Sequence, residues 1–199
     1  MPHDPDVMGT LFGFDARIVF GALIGLFWVS EWLLFGRLLP GRGDRNEDRG
    51  SGHWFAVAFP LAWAGAVALL HVHQAAFGNF SIFKAGLVLM VLGQLLRWWS
   101  MATLGRLFTV YVAIRDGHRV VESGPYRYVR HPSYSAILLS HLGAALCFGN
   151  ALSAIALLVP VSLAIGNRIR VEEAALVKGL GPAYREYMTR TKRLVPGLY

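Results

Sequence analysis

Residues 134–148 read YSAILLSHLGAALCF and residues 151–165 read ALSAIALLVPVSLAI, with only Gly149-Asn150 between them. Two apolar runs joined by a tight-turn dipeptide describe a helical hairpin. Each run is shorter than the roughly 20 apolar residues that a spanning helix needs. Either the helices continue past the apolar stretch, or the pair forms a re-entrant hairpin. On both readings the hairpin sits in a membrane, and the rest of the chain agrees.

Three longer apolar runs precede it: Ile18–Leu39, interrupted by Glu31 and Arg37; Trp54–Val72; and Ile82–Trp99, with Gln94 and Arg97 near its end. Of the 199 residues, 55% are hydrophobic and 16% charged, against roughly 25% charged in an average soluble domain. Mean hydropathy is +0.45. A soluble globule of this size has no interior able to hide so much apolar surface. Disorder is excluded by the same composition, and a disulfide framework by the single cysteine, Cys147. Residues 1–15 carry three Asp and no Lys or Arg, so the first run does not read as a signal peptide. The expected fold is an all-α integral membrane protein with about five transmembrane helices, a small cytoplasmic loop and a C-terminal helical tail.

The net charge of +7 is explained by where the cations fall rather than by nucleic acid. Arg37 at the end of the first run and Arg42, Arg45 and Arg49 beyond it share the 37–53 loop, and Arg106, Arg115, Arg119, Arg127 and Arg130 follow the third run. Seven more Lys and Arg follow residue 167, while residues 73–81 and the 149–150 turn carry none. With five spans, all the basic segments share one side. The positive-inside rule then places the N-terminus outside and the C-terminus in the cytoplasm. Chemistry is therefore expected in the 101–133 segment and the tail. In that segment Phe108 to Ile114 alternate in polarity and Asp116-Gly117 is a turn signal. A short β-hairpin returning through Arg119-Val120-Val121 is expected there.

Several residues admit both a structural and a chemical reading. Arg97 within an apolar run is costly unless it snorkels or serves a site, and Trp98 and Trp99 beside it fit an interfacial belt. Glu31 either pairs with Arg97 or lines a cavity. Adjacent Glu172 and Glu173 are either salt-bridged to Arg168 and Arg170 or hold a cationic ligand; Arg168 and Glu172 share a helix face. His131 is either an interfacial cap or a donor or base near neutral pH. His71 and His73 read as interfacial, and the scattered histidines give no metal-ligand spacing. No nucleophile elbow, phosphate-cradling loop or dinucleotide fingerprint is present.

Taken together, GPYRYVRHPSY (124–134), RIRVEEAAL (168–176) and GPAYREY (181–187) resemble the isoprenylcysteine carboxyl methyltransferase family, a relative of the phospholipid methyltransferases. The likeness runs from about Leu92 to the C-terminus. It implies one membrane methyltransferase domain over 1–199, with variable N-terminal spans in 1–91 and a cofactor-binding core in 92–199. It also implies S-adenosylmethionine as cofactor, S-adenosylhomocysteine as product, and a lipophilic methyl acceptor entering from the bilayer. Carried onto this chain, the likeness makes His131 and Tyr134 candidate cofactor contacts, with Glu172 or Glu173 taking the amino group; on physical grounds Tyr126, Tyr128 or Trp98 offers an aromatic face to the sulfonium, and Gln94 completes the candidate set. Arg168, Glu172 and Arg97 are the candidate catalytic residues, the arginines orienting an acceptor carboxylate. No metal is expected. Where many family members carry Gly, this chain has Ala136. Two rival readings are a membrane reductase using NADPH and a non-catalytic membrane scaffold. The expected acceptor atom is an oxygen, sulfur or nitrogen of a lipophilic small molecule, or an oxygen of a prenylcysteine-like carboxylate.

Overall fold

The computed structural model describes residues 10–11, 14–37, 45–46, 48, 50–109, 113–114 and 117–199. Five apolar helices run antiparallel in sequence order: α1 (Ala16–Arg37), α2 (Ser51–Leu69), α3 (Phe80–Leu104), α4 (Pro132–Phe148) and α5 (Ala151–Leu180). A short α6 (Pro182–Arg190) follows. Four of the five are long and apolar enough to cross a membrane, and α4 is a shorter apolar helix.

The boundaries follow from local chemistry. Asn79 caps α3 by accepting from the amides of Ser81 and Ile82 at 3.0 and 3.1 Å. Asn150 caps α5 through Ser153 at 3.0 Å and donates to the Val72 carbonyl. Gly149 closes α4 at φ 58°, in the left-handed region that favours glycine. Pro132 and Pro182 open α4 and α6, where a missing N–H costs nothing. The α5 helix does continue beyond its apolar stretch: its 30 residues make a rod of about 45 Å, longer than the roughly 30 Å hydrocarbon layer. Its last third therefore projects beyond the apolar layer.

The bundle pairs α3 with α4 and α2 with α5, and α4 against α5 joins the two halves. The α3–α4 contact is backbone-close. A Cβ on Gly86 would lie 2.6 Å from the Gly143 carbonyl oxygen, so both positions must be glycine for the helices to approach. Phe59, Leu87, Met90, Leu157, Val161 and Ile165 fill the core. The opposite surfaces remain apolar: Trp32 is 75% exposed and Leu163 70%, as expected of helices solvated by lipid.

Two-residue ladders complete the described structure. β1 (Thr10–Leu11) pairs with β2 (Phe14–Asp15), and β3 (Arg45–Asn46) pairs with β4 (Ala113–Ile114), both antiparallel. The expected hairpin is different here. Its strand at 113–114 takes the α1–α2 connection as partner, and residues 118–122 carry no strand. Residues 110–112 and 115–116 of that expectation lie outside the described residues, as do Arg42, Arg49 and residues 1–9. The alternation at 108–114 reports an extended segment, but partner choice is a long-range matter that local periodicity does not encode.

Because α1, α3 and α5 run opposite to α2 and α4, the C-terminal ends of the first set and the N-terminal ends of the second meet at one end of the bundle. Arg97, His131, Arg168 and the tail all gather there.

Candidate active site and family

A cavity of about 450 Å³ opens at this end. Its polar wall includes Arg97, His131, Tyr134, Arg168 and Glu172. Its apolar wall is drawn from α1 and α2, including Phe27, Trp28, Phe55 and Phe59. Trp28 of α1 and Pro60 of α2 both line the cavity and are exposed.

Each buried cation is tied to an acid from a different helix or loop. The Arg97 guanidinium grips Glu31 of α1 as a fork, Nε to Oε1 at 2.8 Å and Nη2 to Oε2 at 2.7 Å, and also donates to Ser133. Glu31 thus does both things left open for it: it pairs with Arg97 and lines the cavity. Arg168 donates through Nη1 to Asp48 and, at 2.7 Å, to the Ser51 hydroxyl. Its Nε reaches the Tyr134 hydroxyl at 3.3 Å, and Phe55 lies under the guanidinium at 5.8 Å. Tyr134 in turn donates to Glu172 Oε2 at 2.7 Å.

The adjacent glutamates have separated roles. The Glu172 side chain keeps 31% exposure and faces the cavity. Glu173 points the other way: Arg130 donates to its Oε1 at 2.9 Å, and Arg193 donates twice to its Oε2 at 3.0 and 2.8 Å. His131 Nε2 is 3.3 Å from Glu173, and its Nδ1 is 4.0 Å from Glu172.

The same ion cluster fastens the tail across the 124–134 motif. The amides of Arg130 and His131 donate to the carbonyls of Lys192 and Arg193 at 2.7 and 2.9 Å. The Tyr187 hydroxyl, pushed up to about 12 by burial, donates to the Tyr126 carbonyl at 2.6 Å. Burial, with Glu172 second, raises the Tyr126 phenol well above its usual range, and it faces the cavity as a neutral group.

Of the residues expected from sequence, Arg97, Tyr126, His131, Tyr134, Arg168 and Glu172 meet around the cavity. Glu173 is buried behind it. Tyr128 is 60% exposed and outside the lining. Gln94 lines a separate small pocket with Ser140 and His141 and donates to Ser30 at 3.3 Å. Gln94 lies one turn of α3 before Arg97, about 4.5 Å farther along the axis from the cavity end, which puts it at this second pocket. Asp48, Ser51, Ser133 and Tyr184 were not singled out as site residues. Ser133 and Tyr184 lie inside the quoted motifs, whereas Asp48 and Ser51 sit in a polar connection with no local signature. Among the described residues, no three His, Cys, Asp or Glu side chains gather as a metal site would require.

Comparison with known proteins agrees with this geometry. Residues 86–178 match the model of the "Isoprenylcysteine carboxyl methyltransferase (ICMT) family". A "Probable protein-S-isoprenylcysteine O-methyltransferase" of Oryza sativa subsp. indica is 33% identical over 185 residues, covering 89% of this chain and 94% of that protein. The chain belongs to the isoprenylcysteine carboxyl methyltransferase family. "Protein-S-isoprenylcysteine O-methyltransferase" of Schizosaccharomyces pombe is also 33% identical, over 95% of this chain and 91% of that protein. "Protein-S-isoprenylcysteine O-methyltransferase B" of Arabidopsis thaliana is 39% identical over a shorter stretch, 58% of this chain and 59% of that protein. A solved structure of the "eukaryotic intramembrane Ras methyltransferase ICMT" superposes with TM-score 0.70 at 21% identity, over 92% of this chain and 68% of that one. That likeness concerns the fold. Family membership makes this chain an integral-membrane methyltransferase.

Proposed function

We propose that the chain transfers the methyl group of S-adenosylmethionine to an acceptor carried on a lipophilic chain, at the cytoplasmic face of a membrane. The observation that carries this reading is the cavity itself. A free-facing carboxylate, buried arginines and neutral phenols sit at one end, and an apolar wall shared by two lipid-facing helices lies at the other.

The residues present suit this cofactor. Glu172 is the one cavity carboxylate that no arginine clamps among the hydrogen bonds described, so it is available to an ammonium or sulfonium. Tyr126, Tyr134 and Tyr184 offer aromatic faces to the same positive charge. His131 stands 4.0 Å from Glu172 and can donate to a carboxylate. When bound, the cofactor supplies an activated methyl, so the chain's task is to position, to desolvate and to exclude water. Arg97 and Arg168 orient the acceptor, each held rigid by its own acid. An acceptor carboxylate is already a nucleophile and needs no base. A hydroxyl or thiol acceptor would give its proton to Glu172.

The prenylcysteine carboxylate named for the relatives fits the pairing of an apolar wall with two guanidinium groups. We place the acceptor's route between α1 and α2, where Trp28 and Pro60 line the cavity and remain exposed. Residues 1–199 act as one unit, because Glu31 and Asp48, outside the family-matched segment, each hold an arginine of the cavity. The distribution of Lys and Arg puts the cavity end in the cytoplasm and the N-terminus outside.

The test is transfer of labelled methyl from S-adenosylmethionine to N-acetyl-S-farnesylcysteine by the purified chain in lipid vesicles. Label recovered as a base-labile ester supports a carboxylate acceptor. Label absent from every lipophilic acid, thiol and phenol offered contradicts the reading.

A further inference from the structure

We propose that Asp48 is a positioning residue for methyl transfer, acting through Arg168. The proposal rests on the acceptor-orienting role assigned above to that arginine.

Asp48 lies in the α1–α2 connection, 120 residues from Arg168 in sequence and outside the family-matched segment. It is 5% exposed, and Arg168 is 4% exposed. One carboxylate performs two tasks. Oδ2 accepts from the Gly52 amide at 2.8 Å and Oδ1 from the Ser51 hydroxyl at 3.0 Å, which fixes the first turn of α2. Oδ1 also accepts from Arg168 Nη1, and the same Nη1 donates to Ser51 at 2.7 Å. With Nη1 held this way, the planar guanidinium has its orientation set. Nε is turned to the Tyr134 hydroxyl, which donates to Glu172.

Capping the helix does not need a charge. An amide oxygen accepts from the Gly52 amide as a carboxylate oxygen does. A buried guanidinium, in contrast, needs a compensating anion to be held in one place. The negative charge at position 48 is therefore explained by Arg168 and not by α2. The connection is itself anchored: β3, two residues before Asp48, pairs with β4 of the segment that goes on to line the cavity through His118, Val120 and Val121. Asp48 is thus held from both sides, by β3 and by α2, while it holds Arg168.

Asp48→Asn separates the two tasks, since the amide oxygen still caps and the charge is gone. Turnover with S-adenosylmethionine and N-acetyl-S-farnesylcysteine is measured per S-adenosylhomocysteine-binding site, counted by calorimetry, so that misfolded protein does not enter the rate. The expected result is a fall in kcat of about 10- to 100-fold, larger than any rise in KM for S-adenosylmethionine passed on through Tyr134 and Glu172. A kcat per site equal to wild type overturns the proposal, and so does a loss confined to that KM. If Asp48→Asn yields no binding-competent protein, Ser51→Ala decides. It removes the other oxygen on Nη1 and leaves the Gly52 bond in place; a fall in kcat larger than any rise in that KM supports the proposal and an unchanged kcat overturns it. A wild-type chain that binds S-adenosylhomocysteine yet methylates nothing overturns the acceptor reading and this proposal together. Wild-type turnover that Asp48→Asn shares in full overturns the positioning alone.

Discussion

Tyr134, in the first turn of α4, donates its hydroxyl hydrogen bond to Glu172 of α5 at 2.7 Å. That bond aims the cavity glutamate that no described arginine hydrogen bond clamps, and Arg168 holds the tyrosine from its other side. Tyr134→Phe removes the donor and leaves the ring. A hydrogen bond to a charged group contributes about 1.5–3 kcal/mol, which corresponds to roughly a tenfold or greater change in affinity. Calorimetry of the variant is expected to show S-adenosylhomocysteine binding weakened by about that factor, with the melting temperature nearly unchanged.

The two neighbouring glutamates should fail in different ways. Glu173 is 5% exposed and ties Arg130 of the motif to Arg193 of the tail. Glu173→Gln leaves two guanidinium groups without their anion. Breaking such a pair costs about 3–5 kcal/mol, so a large fall in melting temperature is expected in a detergent thermal-shift assay. The protein that remains folded should still bind S-adenosylhomocysteine. Equal stability with lost binding would reverse the assignment of the two residues.

Glu31 and Arg97 form the ion pair between α1 and α3. Glu31→Gln should cost about 3–5 kcal/mol by leaving a buried cation. The double replacement Glu31→Leu with Arg97→Met should recover most of that stability and lose methyl transfer. Melting curves and turnover of the three proteins make the comparison. Turnover in the double variant would remove Arg97 from the site.

Gly86 and Gly143 set the α3–α4 distance. Gly86→Val places side-chain carbons against the Gly143 carbonyl and the Cys147 thiol. Overpacking of this kind costs about 1–3 kcal/mol or more. Gly21→Ala in α1 meets nothing within 4 Å and should leave the melting temperature unchanged or slightly raised.

The bundle was legible because each apolar run is long, and the residues of the candidate site drew attention because its motifs carry unusual residues at fixed spacing. Arg97, His131 and Arg168 stood out as polar groups beside apolar runs, and the structure brings all three to one cavity. Which of Glu172 and Glu173 faces that cavity was not legible. Adjacent residues on a helix differ by about 100° in direction, and only the partners Arg130 and Arg193, drawn from two other segments, decide the matter. Gln94, expected beside the cofactor, lines a separate pocket one turn of α3 farther from the cavity end than Arg97, a difference in depth that helical spacing does not reveal. The role of Asp48 could not be read at all, since a lone acid in a polar connection carries no period or motif, and its partner lies 120 residues away. The β3–β4 ladder failed likewise, being a long-range pairing of two short segments.

The most direct test is calorimetric titration of the purified protein in detergent with S-adenosylhomocysteine, beside Glu172→Gln. The account predicts saturable one-to-one binding to the wild type and binding at least about tenfold weaker in the variant, without loss of folded protein. A well-folded wild type that shows no binding, or a Glu172→Gln variant that binds equally well, would contradict it.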